Sequence, residues 1–487
     1  MEKLLIEGGY KLNGNVNISG MKNSALPILY GCLLIKDECI IHNIPRVSDI
    51  FNTLQILRGL GAKAEFIDTN TVRIDAKNAT SIIKNQELVS KMRASSYLMG
   101  TLLARFKEIS TNMPGGCNFG VRPIDEHLKG FEKLGATYFE HDGKIEIKAS
   151  KFLKNQKITL DKISVGATIN MVLVSTYIDG ITTIENCAIE PHVDDLISFL
   201  NKCGAKILRY NRTIYVNGTK NLTGTEYHIF PDMIEALTYG CFVGAAGGAV
   251  ILDNVNNNHL RYSLDIFKSM GLFIKEYDRK VHIVKKCDLN GVNVITAPYP
   301  LFPTDLHPQL SALLCFTNDG GSVKDEIFPT RFAYANELKK MGANIEIYLN
   351  KAVIKSSKLF GGKTDATDLR AGAALITASL GAEGNSEINN VNYIVRGYED
   401  IVSKISSIGG KIKFINKKEN TKMEVTKKTI IGDVLDFNPE TAQFFFEIGM
   451  HCLGCPHSRG EAIEDACRAH GTDADTLIAK INAFLNK

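Results

Sequence analysis

A cysteine in a glycine-rich loop is the strongest chemical signal in the chain. Cys117 lies in residues 114–125 (PGGCNFGVRPID), between glycines and five positions before Arg122. Flexible glycines predict an accessible side chain, and a nearby positive charge favours the thiolate form of a cysteine. The pattern therefore predicts a reactive thiol at Cys117.

The other cysteines have a different setting. The chain has 11 cysteines, scattered without the even framework of a small secreted protein, so we expect reduced thiols in a cytoplasmic protein. Five of them lie in apolar runs and are predicted to be small core residues: Cys32, Cys187, Cys203, Cys241 and Cys315.

A proline-rich loop, residues 297–306 (APYPLFPTDL), presents a single carboxylate. Three prolines restrict this backbone, which would hold Asp305 in one place as a general base requires. Alternatively, Thr304 or Asp305 caps the helix that follows. The two interpretations are compatible.

Several cations stand at the expected ends of helices and strands. Lys22-Asn23 lies in residues 20–27 (GMKNSALP), and Arg331, Arg370 and Arg396 occur far along the chain. Taken alone, a Lys-Asn pair is typical of a solvated turn, and each arginine is typical of a surface ion pair.

The sequence contains a repeated pattern of a helix, a glycine and an alternating strand. These repeated elements are predicted to position the candidate residues. The pattern recurs about every 70 residues. This even spacing favours six small α/β modules over the alternative that glycines after helices are simply common in loops. Each glycine is predicted to end its helix in the left-handed conformation. The six are Gly61, Gly135, Gly204, Gly271, Gly342 and Gly409.

The bulk composition predicts a soluble protein of two or three domains. The chain has 487 residues and a formal charge of +4, too small for a general nucleic-acid binder. Its first residues carry no signal-peptide pattern. The longest apolar run, residues 236–252, is broken by glycines and predicts a buried helix, a turn and a strand instead of a membrane span. We therefore expect a cytoplasmic protein.

The end of the chain has a different pattern. Residues 417–427 are polar and are predicted to form a linker. Residues 428–487 are predicted to form a small all-helical module. Its first helix should begin at Asn438-Pro439 and end at Gly449, a second should span residues 459–470, and a third should follow Asp473.

A pair of cysteines in this module, Cys452 and Cys455, has the Cys-x-x-Cys spacing at a predicted helix start. Helix-start amides lower thiol pKa, which favours a redox pair. A metal or cluster site, with His451, His457 or Cys467 as further ligands, and a purely structural role are the alternatives.

In their order and register, residues 1–416 resemble the enolpyruvyl transferases, and most closely the branch that acts on UDP-N-acetylglucosamine in peptidoglycan precursor synthesis. The resemblance implies a two-domain inside-out α/β barrel of six βαβαββ-like units. One half would comprise residues 1–21 and 231–416, and the other residues 22–230. The matching motifs are Lys22-Asn23, the Cys117 loop, residues 164–168 (SVGAT), Pro231-Asp232, Pro303-Thr304-Asp305 and Asp368-Leu369-Arg370.

The resemblance also implies substrates and roles. The catalytic residues would be Asp305, Cys117 and Lys22. Asp305 would be the base that deprotonates the sugar, Cys117 would be the acid and the target of fosfomycin, and transfer would need no cofactor. Phosphoenolpyruvate would be held by Lys22, Asn23, Arg122, Arg331, Arg370 and Arg396. The UDP-sugar would be held by Arg93, Arg122, Pro123, Ile124, Asp125, Glu126, Lys162, Ile163, Ser164, Val165, Asp305 and Ile327.

The sequence allows two alternative functions. The sister enzymes that act on shikimate 3-phosphate are disfavoured by the Cys117 loop. A catalytically silent or shifted-specificity paralogue that senses thiols or binds ligands is kept open by unusual residues at Met233, Pro329-Thr330 and Val395. Residues 428–487 resemble a redox-disulfide domain associated with hybrid-cluster proteins. The sequence predicts no particular oligomeric state.

Overall fold

The structure is a computed structural model that describes residues 2–115, 124–149, 153–416, 425–450 and 456–485. The chain divides into two compact units, Met1–Ile415 and Asn416–Lys487. The predicted thiol loop (Cys117, Arg122 and Pro123) and the Cys452–Cys455 pair lie outside the described residues.

Thirteen α-helices occur in the described part of the first unit. They are α1 (Lys22–Gly31), α2 (Ser48–Gly59), α3 (Gln86–Lys91), α4 (Tyr97–Phe106), α5 (Asp125–Lys133), α6 (Val165–Ser175), α7 (Pro191–Lys202), α8 (Met233–Ala246), α9 (Asn257–Met270), α10 (His307–Leu314), α11 (Tyr334–Lys340), α12 (Leu369–Gly381) and α13 (Ile401–Ser407).

The strands of the first unit number 23 over the same residues. They are β1 (Glu2–Glu7), β2 (Leu12–Asn17), β3 (Cys39–His42), β4 (Lys63–Phe66), β5 (Val72–Asp75), β6 (Glu108–Asn112), β7 (Ala136–His141), β8 (Lys144–Ala149), β9 (Lys157–Thr159), β10 (Gly180–Glu185), β11 (Lys206–Tyr210), β12 (Thr213–Gly218), β13 (Glu226–His228), β14 (Gly248–Asp253), β15 (Phe273–Tyr277), β16 (Lys280–Lys285), β17 (Val292–Thr296), β18 (Gly321–Asp325), β19 (Asn344–Tyr348), β20 (Lys351–Lys355), β21 (Lys363–Asp365), β22 (Asn385–Asn389) and β23 (Lys411–Asn416).

The predicted helix–glycine–strand repeat is confirmed at all six positions. Each of the six glycines has a φ between +95° and +106°, and each lies between the end of one helix and the start of a strand. A residue with a Cβ is strained in this left-handed conformation, so glycine ends these helices at little steric cost. The helices concerned are α2, α5, α7, α9, α11 and α13.

Six small sheets, as far as the chain is described, follow these repeats. Their strand orders are β13-β3-β5-β4, β6-β8-β7, β11-β12-β10-β9, β15-β16-β14-β2, β17-β18-β20-β19 and β21-β22-β1-β23. In the third and fifth of these, the chain runs strand, helix, strand, helix, then an antiparallel pair. This is the predicted βαβαββ order.

The most buried helices lie inside the sheets. One hydrophobic core runs from Ala25 to Ile229 and contains α1, α4 and α6. A second core joins residues 4–21 to residues 233–412 and contains α8, α10 and α12. Helix α8 is followed directly by β14, so the apolar run at residues 236–252 is a buried helix, a turn and a strand as predicted. Among the described residues, no helix is long and apolar enough to cross a membrane.

The chain passes between the two cores twice, and the crossing segments run side by side. Met21 donates its amide to Phe230 at 2.7 Å, and Asp232 donates its amide to Ser19 at 2.8 Å. A Cβ on Gly20 would stand 1.7 Å from the carbonyl oxygen of Asn43, so this crossing requires glycine. Helix α1, with Lys22 at its first position, begins immediately after the crossing.

The second unit is a small helical bundle over the residues described. Its helices are α14 (Ile431–Phe437), α15 (Ala442–Glu447), α16 (Pro456–Arg459), α17 (Ile463–Ala469) and α18 (Ala474–Leu485). The Asn438 side chain accepts the amide of Glu440 and starts a 3₁₀ turn, Pro439–Thr441, that leads into α15. The second predicted helix was too long at its start, because it begins at Ile463 and not at residue 459.

Candidate active site

Asp305 is held by two buried arginines. Its Oδ1 accepts a hydrogen bond from Arg331 Nη1 at 2.8 Å, and its Oδ2 accepts one from Arg370 Nη2 at 3.0 Å. The arginines are only 4% and 3% exposed. Burial raises the pKa of Asp305, but the charges of Arg370 and Arg331 outweigh burial and hold that pKa well below its usual range. The carboxylate is therefore ionised and fixed in orientation.

A buried polar network supports Arg370 from behind. Asp368 caps α12 by accepting the amides of Arg370 and Ala371. Arg370 Nη1 donates to the Tyr398 hydroxyl at 3.0 Å, and Gln309 Nε2 donates to the same oxygen at 3.0 Å. Such a network restricts the guanidinium to one position.

These contacts correct two predictions. The N-cap interpretation of the proline loop is wrong, because neither Thr304 nor Asp305 caps α10 and their side chains bind other groups. The surface ion-pair interpretation is wrong for Arg331 and Arg370, which are buried. Periodicity alone did not reveal this, because the arginines lie at element ends and not on a helical face.

The Asp305 loop is anchored by Asp325 at the end of β18. Asp325 is fully buried, and its Oδ2 accepts from Thr304 Oγ1 at 2.7 Å. Its Oδ1 accepts from Thr296 Oγ1 at 2.6 Å and from the amide of Ile327 at 2.9 Å. One carboxylate thus ties together both ends of the proline loop and the segment containing Ile327.

Replacing Asp325 by asparagine should loosen this loop. The amide cannot accept at both ends and carries no charge, so we expect a loss of about 3 kcal/mol in the free energy of unfolding. Urea denaturation measures this loss. Asp278→Asn, which changes an exposed carboxylate, is the control and should have no effect. A D325N protein as stable as the wild type would contradict the anchoring role.

Lys22 and Arg396 come together from the two different cores. Lys22 is the first residue of α1, and Arg396 ends the 3₁₀ segment Val391–Arg396. Lys22 Nζ donates to Asp49 Oδ2 at 3.0 Å, and Arg396 Nε donates to Asp49 Oδ1 at 2.9 Å. The sequence had not singled out Asp49, because one aspartate in the first turn of an amphipathic helix is an ordinary surface pattern.

His192 is a further residue that the sequence did not single out. It lies in the first turn of α7, in the first core, yet the charge of Asp305 from the second core acts on it. Burial lowers the pKa of His192 to about 4, and Asp305 opposes that effect. Groups from both cores therefore meet near the carboxylate.

Several of the residues predicted to bind the UDP-sugar lie at three helix starts. Ile124 and Asp125 begin α5, Ser164 caps α6 by accepting the amide of Ala167, and Arg93 begins the 3₁₀ segment Arg93–Ser96. Ile163 and Val165 are half-buried, and so is Asn23, which was predicted to hold phosphoenolpyruvate.

Glu126 has a structural contact that its predicted binding role did not include. Its Oε2 accepts the amide of Asp161 at 2.8 Å and that of Lys162 at 3.5 Å, and the residue is 7% exposed. The carboxylate therefore holds the segment containing Lys162 against α5.

A buried histidine lies beside these helix starts. His127 Nδ1 is 2.8 Å from Asn170 Nδ2, and His127 is 2% exposed. Burial lowers the pKa of His127 to about 3, and the charge of Arg93 adds to the effect. The neutral ring is the folded form at physiological pH.

This histidine predicts acid lability. The unfolded chain takes up a proton near pH 6.5 and the folded chain only near pH 3, so stability is complete above 6.5 and falls below it. Each such histidine removes up to about 1.4 kcal/mol per pH unit in that window. Urea denaturation at pH 7 and pH 5 should show that His127→Gln loses about 2 kcal/mol less than the wild type. Equal losses would contradict the assignment.

The predicted core cysteines are confirmed. Cys32, Cys187, Cys203, Cys241 and Cys315 are all buried. Within the described ranges, no group of three or more His, Cys, Asp or Glu side chains could hold a metal ion. Cys452 and Cys455 lie outside the described residues, so the metal and redox interpretations of the pair stay predictions.

Each of the two compact units matches a different protein family. The family described as EPSP synthase (3-phosphoshikimate 1-carboxyvinyltransferase) matches residues 6–405. The family described as Domain of unknown function (DUF1858) matches residues 425–478.

Curated relatives cover the same first unit. The UDP-N-acetylglucosamine 1-carboxyvinyltransferase of Halothermothrix orenii is 45% identical over 414 residues, which is 85% of this chain and 99% of that protein. The UDP-N-acetylglucosamine 1-carboxyvinyltransferase 2 of Clostridium acetobutylicum is 44% identical over 416 residues, again 85% of this chain and 99% of that protein.

Solved structures agree on the fold. The enolpyruvyl transferase NikO from Streptomyces tendae superposes with a TM-score of 0.77 at 22% identity, covering 85% of this chain and 98% of that chain. The EPSP synthase of Acinetobacter baumannii has a TM-score of 0.65 at 18% identity, covering 85% of this chain and 100% of that chain. These likenesses confirm the predicted inside-out α/β fold.

Proposed function

The chain belongs to the EPSP synthase (3-phosphoshikimate 1-carboxyvinyltransferase) family, and on that premise we propose that its first unit transfers the enolpyruvyl group of phosphoenolpyruvate to the 3′-hydroxyl of UDP-N-acetylglucosamine. Phosphate is the other product. The names of relatives that are 40–45% identical over most of their length support this acceptor. The reaction belongs to peptidoglycan precursor synthesis, and both substrates are cytoplasmic metabolites, so we infer a cytoplasmic enzyme.

The single observation that carries the proposal is the carboxylate of Asp305 between two buried arginines. A hydroxyl that attacks C2 of an enol must lose its proton, and Asp305 is an oriented carboxylate able to accept it. The leaving phosphate and the substrate carboxylate are anions, which Arg331 and Arg370 are suited to bind.

Substrate binding must raise the pKa of Asp305 before this carboxylate can act as the base. With both guanidinium groups on it, the carboxylate is a weak base. When substrate anions bind Arg331 and Arg370, they offset the charges of the two guanidinium groups, so the pKa of Asp305 rises and its basicity with it. Binding of an anionic substrate would therefore activate the base.

The proposed reaction is an addition followed by an elimination. The sugar oxygen forms a bond to C2 while Asp305 takes the hydroxyl proton, and the Cys117 thiol gives a proton to C3. The resulting ketal then loses phosphate: the C2–O bond to phosphate breaks, the Cys117 thiolate takes a proton from C3, and Asp305 gives its proton to the leaving phosphate. Acid, base and preorganised cations suffice for these steps, so we propose that no cofactor takes part.

Phosphate release tests the acceptor. Purified protein is given phosphoenolpyruvate with UDP-N-acetylglucosamine, with shikimate 3-phosphate, or with neither. We expect release only with the UDP-sugar. Release with shikimate 3-phosphate alone would assign the sister activity, and folded protein that releases phosphate with neither would support a silent paralogue.

A further inference from the structure

Asp49 stands between two cations that the proposed function assigns to phosphoenolpyruvate. It lies in the first turn of α2 and is 4% exposed. Each of its two oxygens accepts a hydrogen bond from a different cation: Oδ2 from Lys22 Nζ at 3.0 Å and Oδ1 from Arg396 Nε at 2.9 Å. One carboxylate therefore connects a lysine of the first core with an arginine of the second.

The charges explain why such a carboxylate is needed. Two cations within reach of the same group repel each other, and the repulsion is stronger in a poorly solvated site than in water. Burial raises the pKa of Asp49, but the charges of Lys22 and Arg396 outweigh it and the pKa lies below its ordinary value. Asp49 is therefore an anion, and it offsets the repulsion between the two cations.

A second contact joins the same two regions without touching either cation. Glu399 Oε1 accepts the amide of Arg46 at 2.7 Å and the Asn70 side chain at 2.9 Å. Arg46 lies just before α2, Asn70 lies between β4 and β5 of the same core, and Glu399 follows Arg396 closely. Loss of Glu399 would weaken contact between the cores, whereas loss of Asp49 would in addition remove one ion pair from Lys22 and one from Arg396.

We propose that Asp49 is a positioning residue that holds Lys22 and Arg396 together as one binding site for the phosphate of phosphoenolpyruvate. The proposal rests on the proposed function for the identity of that anion. Since the carboxylate contacts both cations and the repulsion is already offset in the free protein, the substrate does not have to assemble them.

Steady-state kinetics separates this role from a general structural one. Asp49→Asn keeps the shape of the side chain and removes the charge. We expect the KM for phosphoenolpyruvate to rise about tenfold, while the KM for UDP-N-acetylglucosamine changes less than about twofold. Asp49→Glu should restore part of the loss. Equal shifts in both KM values would overturn the proposal.

Glu399→Ala is the matched control for contact between the cores. We expect its KM for phosphoenolpyruvate to stay at least about fivefold below that of D49N. A KM raised as far as that of D49N would mean that contact alone matters, and would overturn the positioning role of Asp49.

A measurement on the ligand-free protein is independent of activity. Lys22 is shielded by its ion pair and by burial, with a side chain 11% exposed. Brief acetylation followed by peptide mass analysis should show Lys22 of D49N modified at least about threefold faster than in the wild type. Glu276→Gln, which breaks the Lys268–Glu276 pair of 3.0 Å, should leave Lys22 unchanged. This result holds even if the protein turns over no phosphoenolpyruvate, and an unchanged Lys22 rate in D49N would overturn the proposal.

Discussion

Asparagine in place of Asp305 is expected to lower kcat about 10³-fold, because the sugar hydroxyl then has no base to take its proton. The amide keeps the size of the side chain and can still contact Arg331 or Arg370. Removing the negative charge takes away the group that competes with substrate anions for both arginines, so neither KM should rise more than a few-fold. Continuous measurement of phosphate release provides both constants.

Asp265→Asn is the control for D305N. Asp265 is an exposed carboxylate on α9 that pairs with Lys268, and its loss should leave kcat unchanged. A kcat for D305N within about tenfold of the wild type would contradict the role of Asp305 as base.

Fosfomycin is expected to inactivate the protein by a covalent bond to Cys117. This inhibitor is an epoxide with an anionic phosphonate, so the cations that bind phosphoenolpyruvate should bring it to the thiol, whose sulfur opens the ring. Intact-mass analysis in the presence of UDP-N-acetylglucosamine should show one adduct. Cys117→Ser should show none and should lose about 10²-fold in kcat, because the hydroxyl is a weaker acid.

Cys287→Ser is the matched control for this experiment. Cys287 is the exposed cysteine among the free cysteines of the described residues, so among these it is the competing target. The variant should form the adduct as the wild type does. An adduct that persists on Cys117→Ser, or one that disappears in Cys287→Ser, would contradict the assignment of Cys117.

The fold could be predicted from the sequence because its signals are local. Each repeat ends a helix at a glycine, and the backbone requirement at positions such as Gly61 and Gly271 is independent of the rest of the chain. The buried helix, the turn and the strand over residues 236–252 were likewise predictable from composition. The arrangement of the six units was then predicted from the order and register of the motifs that resemble the enolpyruvyl transferases.

The site was predicted only where a motif marked it. Asp305 was found because prolines surround it, and Lys22 because it belongs to a family motif. Asp49 and Asp325 are different. Each has its partners far away in the chain, Asp49 with Arg396 and Asp325 with Thr296, and a single aspartate carries no local mark of such contacts. Long-range pairing of this kind appears only when the fold brings the groups together.

Mass analysis of the nucleotide product tests the central claim most directly. Protein is incubated with phosphoenolpyruvate and UDP-N-acetylglucosamine, and the sugar nucleotide is isolated. We expect it to gain the mass of one enolpyruvyl group with the wild type, and to gain almost none in the same time with D305N. An unchanged sugar nucleotide after phosphate has been released by the wild type would contradict enolpyruvyl transfer.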